Sequence, residues 1–335
     1  MQYTERGQGS AMADFLSENA QVLSIAGFFT ICVAFFGVMT DTFLLPNNLL
    51  NVLRQAAPIL VVAVAMTYVI ITAGIDLSVG SQVALINAVV AIVLSWGGIP
   101  WPLVVLGALL LGALIGLFQG WFVAYQGIPA FIVTLAGLSI LRGLALYLTQ
   151  GYSIPISDLP SFLAIGRGQM LGVPIPVIIA IGVVVFGAVI LGQTVYGRQV
   201  VAVGSNAEAA RRAGMPARGV LASVYVLTGV ASAIAGLLIA ARLGSGSSNA
   251  AVGFELQVIA AVVLGGTSLF GGRGSILGTL LGAMTIAVIG NGLILMHISP
   301  FFTQIVTGMI ILIAIWLNTR IFTAHFRIGA RKRGD

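Results

Sequence analysis

Asp76 and Arg142 are the charged side chains set deepest in apolar sequence. Charge in such surroundings is costly and marks an ion or substrate path by default. Asp76 lies in ITAGIDLSVGS (Ile71–Ser81), with Ser78 two residues on. Its carboxylate has two roles open to it, capping the helix that follows or lining a gate. Asn87, Gln119, Asn291 and Gln304 put amides inside apolar runs, where each can bond a hydroxylated substrate or bridge two helices. Glu255 begins another run, where its charge suits the helix start. It could instead pair with Arg242 across GSGSSNAAVG to shape an outer rim.

Chemistry beyond recognition is missing. The sole lysine, Lys332, is in the tail, so no glycine-rich turn ends in a phosphate-binding lysine and the chain does not hydrolyse ATP by itself. His297 and His325 are far apart and lack acidic neighbours in a ligand pattern, so no metal site is expected. The single cysteine, Cys32, excludes an internal disulfide or thiolate cluster. No convergent acid, base or nucleophile supports an enzyme.

The elements that must hold these residues are membrane helices. Of 335 residues 59% are hydrophobic and 7% charged, against about 25% charged in a soluble domain. Mean hydropathy is +1.10. The expected class is all-α, a polytopic membrane protein of about ten spans. The runs are Val22–Met39, Pro58–Ala73, Ser81–Trp96, Pro102–Ala124, Ala130–Thr149, Pro174–Leu191, Val220–Ala241, Glu255–Leu269, Ser275–Met296 and Phe301–Leu317. An inside N-terminus puts eleven basic residues in the cytoplasm and only Arg54, Arg167 and Arg242 outside, so both termini are expected inside. The same rule explains the net charge of +6 without invoking nucleic acid. Residues 1–20 read as a cytoplasmic segment, 21–318 as the transmembrane domain and 319–335 as a basic tail.

One long polar interruption divides the apolar sequence, YGRQVVAVGSNAEAARRAGMPARG (Tyr196–Gly219). It contains a short helix from about Asn206 to Ala213. Ser205 and Glu208 have the spacing of a capping box, and Arg211 and Arg212 suit the last turn. Gly214 is placed to close the helix and Pro216 to prevent its continuation. Two glycine-rich gaps, Ile71–Ser81 and Leu264–Ser275, each join an arriving span to a returning one. Aligning Gly74 with Gly266 suggests a repeat in parallel orientation. Gly112, Gly116 and Gly120, and Gly274, Gly278 and Gly282, recur every fourth residue and read as close helix packing. The segment Gly151–Val173 is long for a connection and is expected to be ordered, with a short helix.

TAGIDLSVGS, IPAFIVTL with Arg142 beyond it, GSNAEAARRAG and AAVVLGGTSLFGGRGS together resemble the permease of ribose-type monosaccharide ABC importers, in order and spacing from about Asn47 to Leu317. Glu208-Ala209-Ala210 with Gly214 is similar to the coupling motif of bacterial import permeases; Met215-Pro216 departs from it, because an isoleucine commonly follows the glycine. The resemblance implies that the loop 197–219 docks on a cytoplasmic ABC ATPase through Ser205, Asn206, Glu208, Ala209, Ala210, Arg211 and Gly214. It implies a second permease copy, a periplasmic sugar-binding protein, and ATP and Mg bound by the partner ATPase, with no cofactor in this chain. Asp76, Ser78, Asn87, Gln119 and Asn291 are then candidates for the gate or path, and Arg242 and Glu255 for the outer rim. An ion-coupled secondary sugar transporter is the competing expectation; it leaves the capped helix without a purpose.

Overall fold

The computed structural model describes residues 20–156 and 159–299, and scattered positions between 302 and 313. Eight of its helices are long and apolar enough to cross a membrane. They are α1 (Ala20–Met39), α2 (Pro46–Ile71), α3 (Val79–Trp96), α4 (Trp101–Ala124), α5 (Ala130–Thr149), α7 (Ile175–Gln193), α10 (Ala217–Leu243) and α12 (Ile276–Leu295). The short elements are β1 (Ile154–Pro155), α6 (Pro160–Arg167), β2 (Gln169–Met170), β3 (Val173–Pro174), α8 (Val195–Ser205), α9 (Ala207–Arg212), β4 (Ser245–Gly246) and α11 (Phe254–Leu264). The last expected run, Phe301–Leu317, lies mostly outside the described residues, and Gln304 is among those outside.

The helices form two shells. The most apolar stretches of α2, α3, α10 and α12 are 61–78% buried, whereas those of α1, α4, α5 and α7 are 11–28% buried and turn leucine, isoleucine and phenylalanine outward. α10 is the axis, packed against α4, α3 and α2. The glycine rows make this possible. A Cβ on Gly112, Gly116 or Gly120 would strike the backbone of Gly229, Tyr225 or Ala222 on α10, and one on Gly278 or Gly282 would strike Gly265 or Ala261. Both rows serve packing, as expected.

Two expected spans are redrawn. The run expected from Pro58 begins at Pro46, because a helix can carry an interior proline when its neighbours satisfy the freed backbone. The run expected as Glu255–Leu269 is the 11-residue α11, about 16 Å long and too short for a hydrocarbon core of about 30 Å. Non-helical chain, the two-residue β4 and the turns of 248–253, makes up the difference. After α10, Gly246 lies against Ala88 and Ala91 of α3, Ser247 binds Asn87, and Ala251 reaches Gly80. This segment is therefore a descent through turns followed by a half-length helix. Gly80 then sits about 16 Å from the α9 end of the molecule and about 24 Å from the end of α3, close to mid-depth.

The segment Gly151–Val173 is ordered as expected. β1 pairs antiparallel with β4, Ile154 opposite Gly246. Phe162 of α6 is fully buried beside Trp101.

Candidate functional site

The polar interruption folds as two helices, one more than expected. Thr194 caps α8 by accepting from the Gly197 N–H at 3.1 Å. The break before α9 falls at Asn206, whose backbone is extended and whose Oδ1 accepts from the Ala209 N–H at 2.9 Å. The Ser205–Glu208 capping box does not form. Ser205 is still helical, the last residue of α8, and its hydroxyl donates back to the Val201 carbonyl; a cap needs the non-helical backbone that Asn206 has. Glu208 instead accepts from Arg211 and Arg212, each at 3.0 Å, and these bonds hold its carboxyl below the usual glutamate range.

The exit from α9 is as the sequence requires. Gly214 has φ of +82°. Its N–H bonds the Arg211 carbonyl while the Met215 N–H bonds that of Ala210, the double closure that favours glycine at this position. Ala210 is buried in the main core with Val200, Val203 and Ala217. Ser205, Asn206, Glu208, Ala209, Arg211 and Gly214 are exposed. The expected docking residues thus form one outward surface, except Ala210, which anchors it.

Behind that surface lie both glycine-rich gaps. The Gly272 N–H donates to the Ile71 carbonyl at 2.8 Å. Gly204 abuts that carbonyl so closely that a side chain would overlap it. The gaps are also alike in backbone. α2 ends with Ala73 bonded to Ile70 and Gly74 to Val69, and α11 ends with Gly266 bonded to Val263 and Thr267 to Val262. The left-handed residues are Ala73 (φ 59°) and Gly266 (φ 88°). By these closing bonds Ala73, not Gly74, is the counterpart of Gly266; the likeness is one of helix ends, a closure common to many helices.

Within the first gap Asp76 is fully buried and bonded only to donors. Oδ1 accepts from the Ser78 N–H (2.9 Å) and hydroxyl (2.6 Å), and Oδ2 from Thr228 of α10 (3.1 Å) and Gln82 (3.4 Å). Gln119 of α4 donates to the Ser78 hydroxyl at 2.8 Å. Asp76 and Ser78 together therefore tie the gap to three helices rather than simply capping α3. Thr228 and Gln82 were not singled out from the sequence; nothing there places Thr228 beside Asp76, whereas Gln82 lies one helical turn beyond Ser78. Gln119 also borders an apolar cleft of about 510 Å3 between α4 and α5, lined by Leu114, Phe118, Ile132 and Gly137 among others.

The remaining candidates lie apart from this network. Asn291 and Asn48 exchange amide hydrogen bonds at 2.9 and 3.1 Å, joining α12 to α2. Asn87 accepts from the Ser247 N–H at 2.6 Å and pins the non-helical descent. The Arg242–Glu255 pair is absent. Arg242 is at the far end of α10, where Arg167 donates to its carbonyl at 2.8 Å and the Arg54 charge opposes its own. Glu255 is in the first turn of α11, as expected, but at mid-depth against Gly80, so it belongs to no rim. The charge it faces is Arg142 of α5, whose guanidinium holds the carbonyls of Ser248, Ala250 and Ala251.

No group of three or more metal-ligating side chains occurs among the described residues. Residues 48–315 match the family described as branched-chain amino acid transport system / permease component. A probable ABC transporter permease protein of Escherichia coli is 41% identical over 93% of this chain and 94% of its own. A ribose import permease protein of Bacillus subtilis is 41% identical over 87% of this chain and 90% of its own. A xylose transport system permease protein of Haemophilus influenzae is 33% identical over 90% of this chain and 97% of its own. No solved structure matches.

Proposed function

The chain belongs to the sugar ABC permeases of this transport-system permease family, multi-pass proteins of the inner membrane, and from that premise we propose that it imports a monosaccharide, a ribose-like pentose, a hexose or a polyol. A periplasmic binding protein delivers the sugar. A cytoplasmic ABC ATPase, which holds the ATP and Mg, drives alternating access in a pore completed by a second permease copy or a homologue. Both termini face the cytoplasm, and the loop 197–219 carries the ATPase contact.

The observation that carries this reading is the stacking of α9, the α8 end and the two gaps. A force on the exposed face of α9 passes through Ala210 and Gly204 into the Ile71–Gly272 junction. That junction joins α2 and α3 to α11 and α12. Closure of paired ATPase subunits against two copies of α9 would therefore reach four membrane segments through backbone contacts, which transmit displacement because they cannot compress. Asp76 and Ser78 fix the first gap to α3, α4 and α10, so the gap moves with them.

The test is to purify the tagged chain gently from its native membrane and reconstitute what accompanies it, with a panel of pentoses, hexoses and polyols. Recovery of an ATPase, and ATP-dependent uptake of one sugar with the binding protein, is the expected result. A chain that emerges alone and moves sugar in liposomes without ATP would establish an ion-coupled carrier instead.

A further inference from the structure

Three oxygen-bearing side chains around Gly80 are buried without a hydrogen-bond partner: Ser81 Oγ, Ser248 Oγ and Glu255 Oε2. Ser81 is 1% exposed and Ser248 not at all. Buried polar atoms are normally paired, so each exception calls for a cause. Here three occur on segments that approach one another, and the fold accounts for that approach. Gly80 has no side chain, which lets the Glu255 carboxylate lie against the first turn of α3, with the Ala251 carbonyl beside it. Arg142 holds the chain leading to that point through Ser248, Ala250 and Ala251. Ser81 is on the side of α3 that faces α5, between Ser78, which lies against Gly137, and Leu85, which packs on Leu141 and Ala145. That places it beside the turn of α5 leading to Arg142.

The chemistry of the set selects a ligand class. Arg142 and Glu255 offset one another, so neither an anion nor a cation is favoured by net charge. Two hydroxyls can each donate or accept, and the carboxylate oxygen accepts. Such a group matches adjacent hydroxyls of a neutral polyol. The position suits a path, because it is near mid-depth where the chain changes from turns to helix.

We propose that Ser81, Ser248 and Glu255, positioned by Arg142, form a mid-membrane station that binds the hydroxyls of a neutral polyol during its passage, closed in the state described here. This rests on the permease reading. It adds that the permease itself selects for hydroxylation after the binding protein has released the sugar.

The experiment uses the complete importer in liposomes, with saturating loaded binding protein. The probes are the sugar from the panel that is imported fastest and its deoxygenated counterpart, 2-deoxy-D-ribose in the case of D-ribose. Wild type should import the sugar about tenfold faster than the deoxy compound. Ser81→Ala and Ser248→Ala should each bring that ratio to within about threefold of unity, with ATPase stimulation by the binding protein within about twofold of wild type. Ser81→Thr, which keeps the hydroxyl, should restore the ratio. Should Ser81→Ala fail to assemble, Ser248→Ala supplies the same reading. An active wild type whose ratio is unchanged in the alanine variants overturns the inference alone, whatever their rates. A wild-type complex that imports no sugar with ATP overturns the permease reading, and this inference with it.

Discussion

Gly272 donates its N–H to the carbonyl of Ile71 at 2.8 Å, and through that one bond the two glycine-rich gaps, almost two hundred residues apart in the chain, become a single junction. Gly204 closes it from the α8 side. A side chain at Gly204 would overlap the Ile71 carbonyl and crowd Gly272, and both are backbone. Gly204→Ala should therefore part the junction from the coupling surface. The expected outcome is a complex that retains its ATPase but loses most ATP-dependent uptake, about tenfold or more. Normal uptake at normal expression would show that the contact transmits nothing.

Helix α9 should depend on Asn206 and not on Ser205. Asn206→Ala removes the cap on the Ala209 N–H and should cost about 1 kcal/mol. Ser205→Ala loses only a bond to its own helix and should cost a few tenths of a kcal/mol. ATPase co-purification and hydrogen exchange of Ala209 would rank the two. The reverse order would restore the capping box.

How much of this could be read beforehand is clearest in that helix. Its existence, its arginine-rich end and its glycine closure follow from local rules, as does Ala130–Thr149, found at its expected bounds. The neighbouring α8 was not legible. VYGRQVVAVGS has two glycines and four β-branched valines, and it is helical because Val200 and Val203 reach the core. The Asp76 network was half legible: Asp76, Ser78 and Gln119 announced themselves as polar residues in apolar sequence. Gln82 joins them one helical turn on from Ser78, a local contact, whereas Thr228 joins only through the packing of α3 on α10. Glu255 was misplaced because a segment that is part turns has no periodicity to reveal it.

Gly214 tests the exit from α9 by backbone conformation alone, because nothing lies within 4 Å of a Cβ added there. Its φ of +82° costs most L-residues about 1–2 kcal/mol. Gly214→Val should weaken ATPase attachment and uptake severely. Gly214→Asn, which tolerates this conformation, should recover most of both. Equal damage from the two would point to lost contact area rather than strain.

Glu208 supplies a pH signature. Hydrogen bonds from Arg211 and Arg212 lower its carboxyl from the ordinary value, so the charged form is favoured in the folded chain. Its contribution to α9 is in place at neutral pH and is lost only as pH falls through that lowered value. A carboxyl titration by NMR in nanodiscs should give a midpoint below that of an ordinary glutamate. Replacing both arginines with alanine should return it to the ordinary range. An unshifted midpoint in wild type would mean that the bonds do not persist in solution.

Asp76 separates a structural tie from a used charge. Every bond that reaches its carboxylate comes from a donor, and two come from groups that can adapt: the Thr228 hydroxyl can turn to accept, and Gln82 has an unpartnered Oε1 that an amide flip would present. Asp76→Asn can therefore rebuild most of the network, at an expected cost of about 1 kcal/mol. Asp76→Ala strands the Ser78 N–H and opens the joint between the gap, α3, α4 and α10, and should cost about 3 kcal/mol. Melting temperatures in detergent should follow that order, and uptake should follow stability: largely kept in Asp76→Asn, lost in Asp76→Ala. If Asp76→Asn melts like wild type yet imports nothing, the negative charge itself takes part in transport. The ion-coupled reading would then regain an intramembrane acid that it needs.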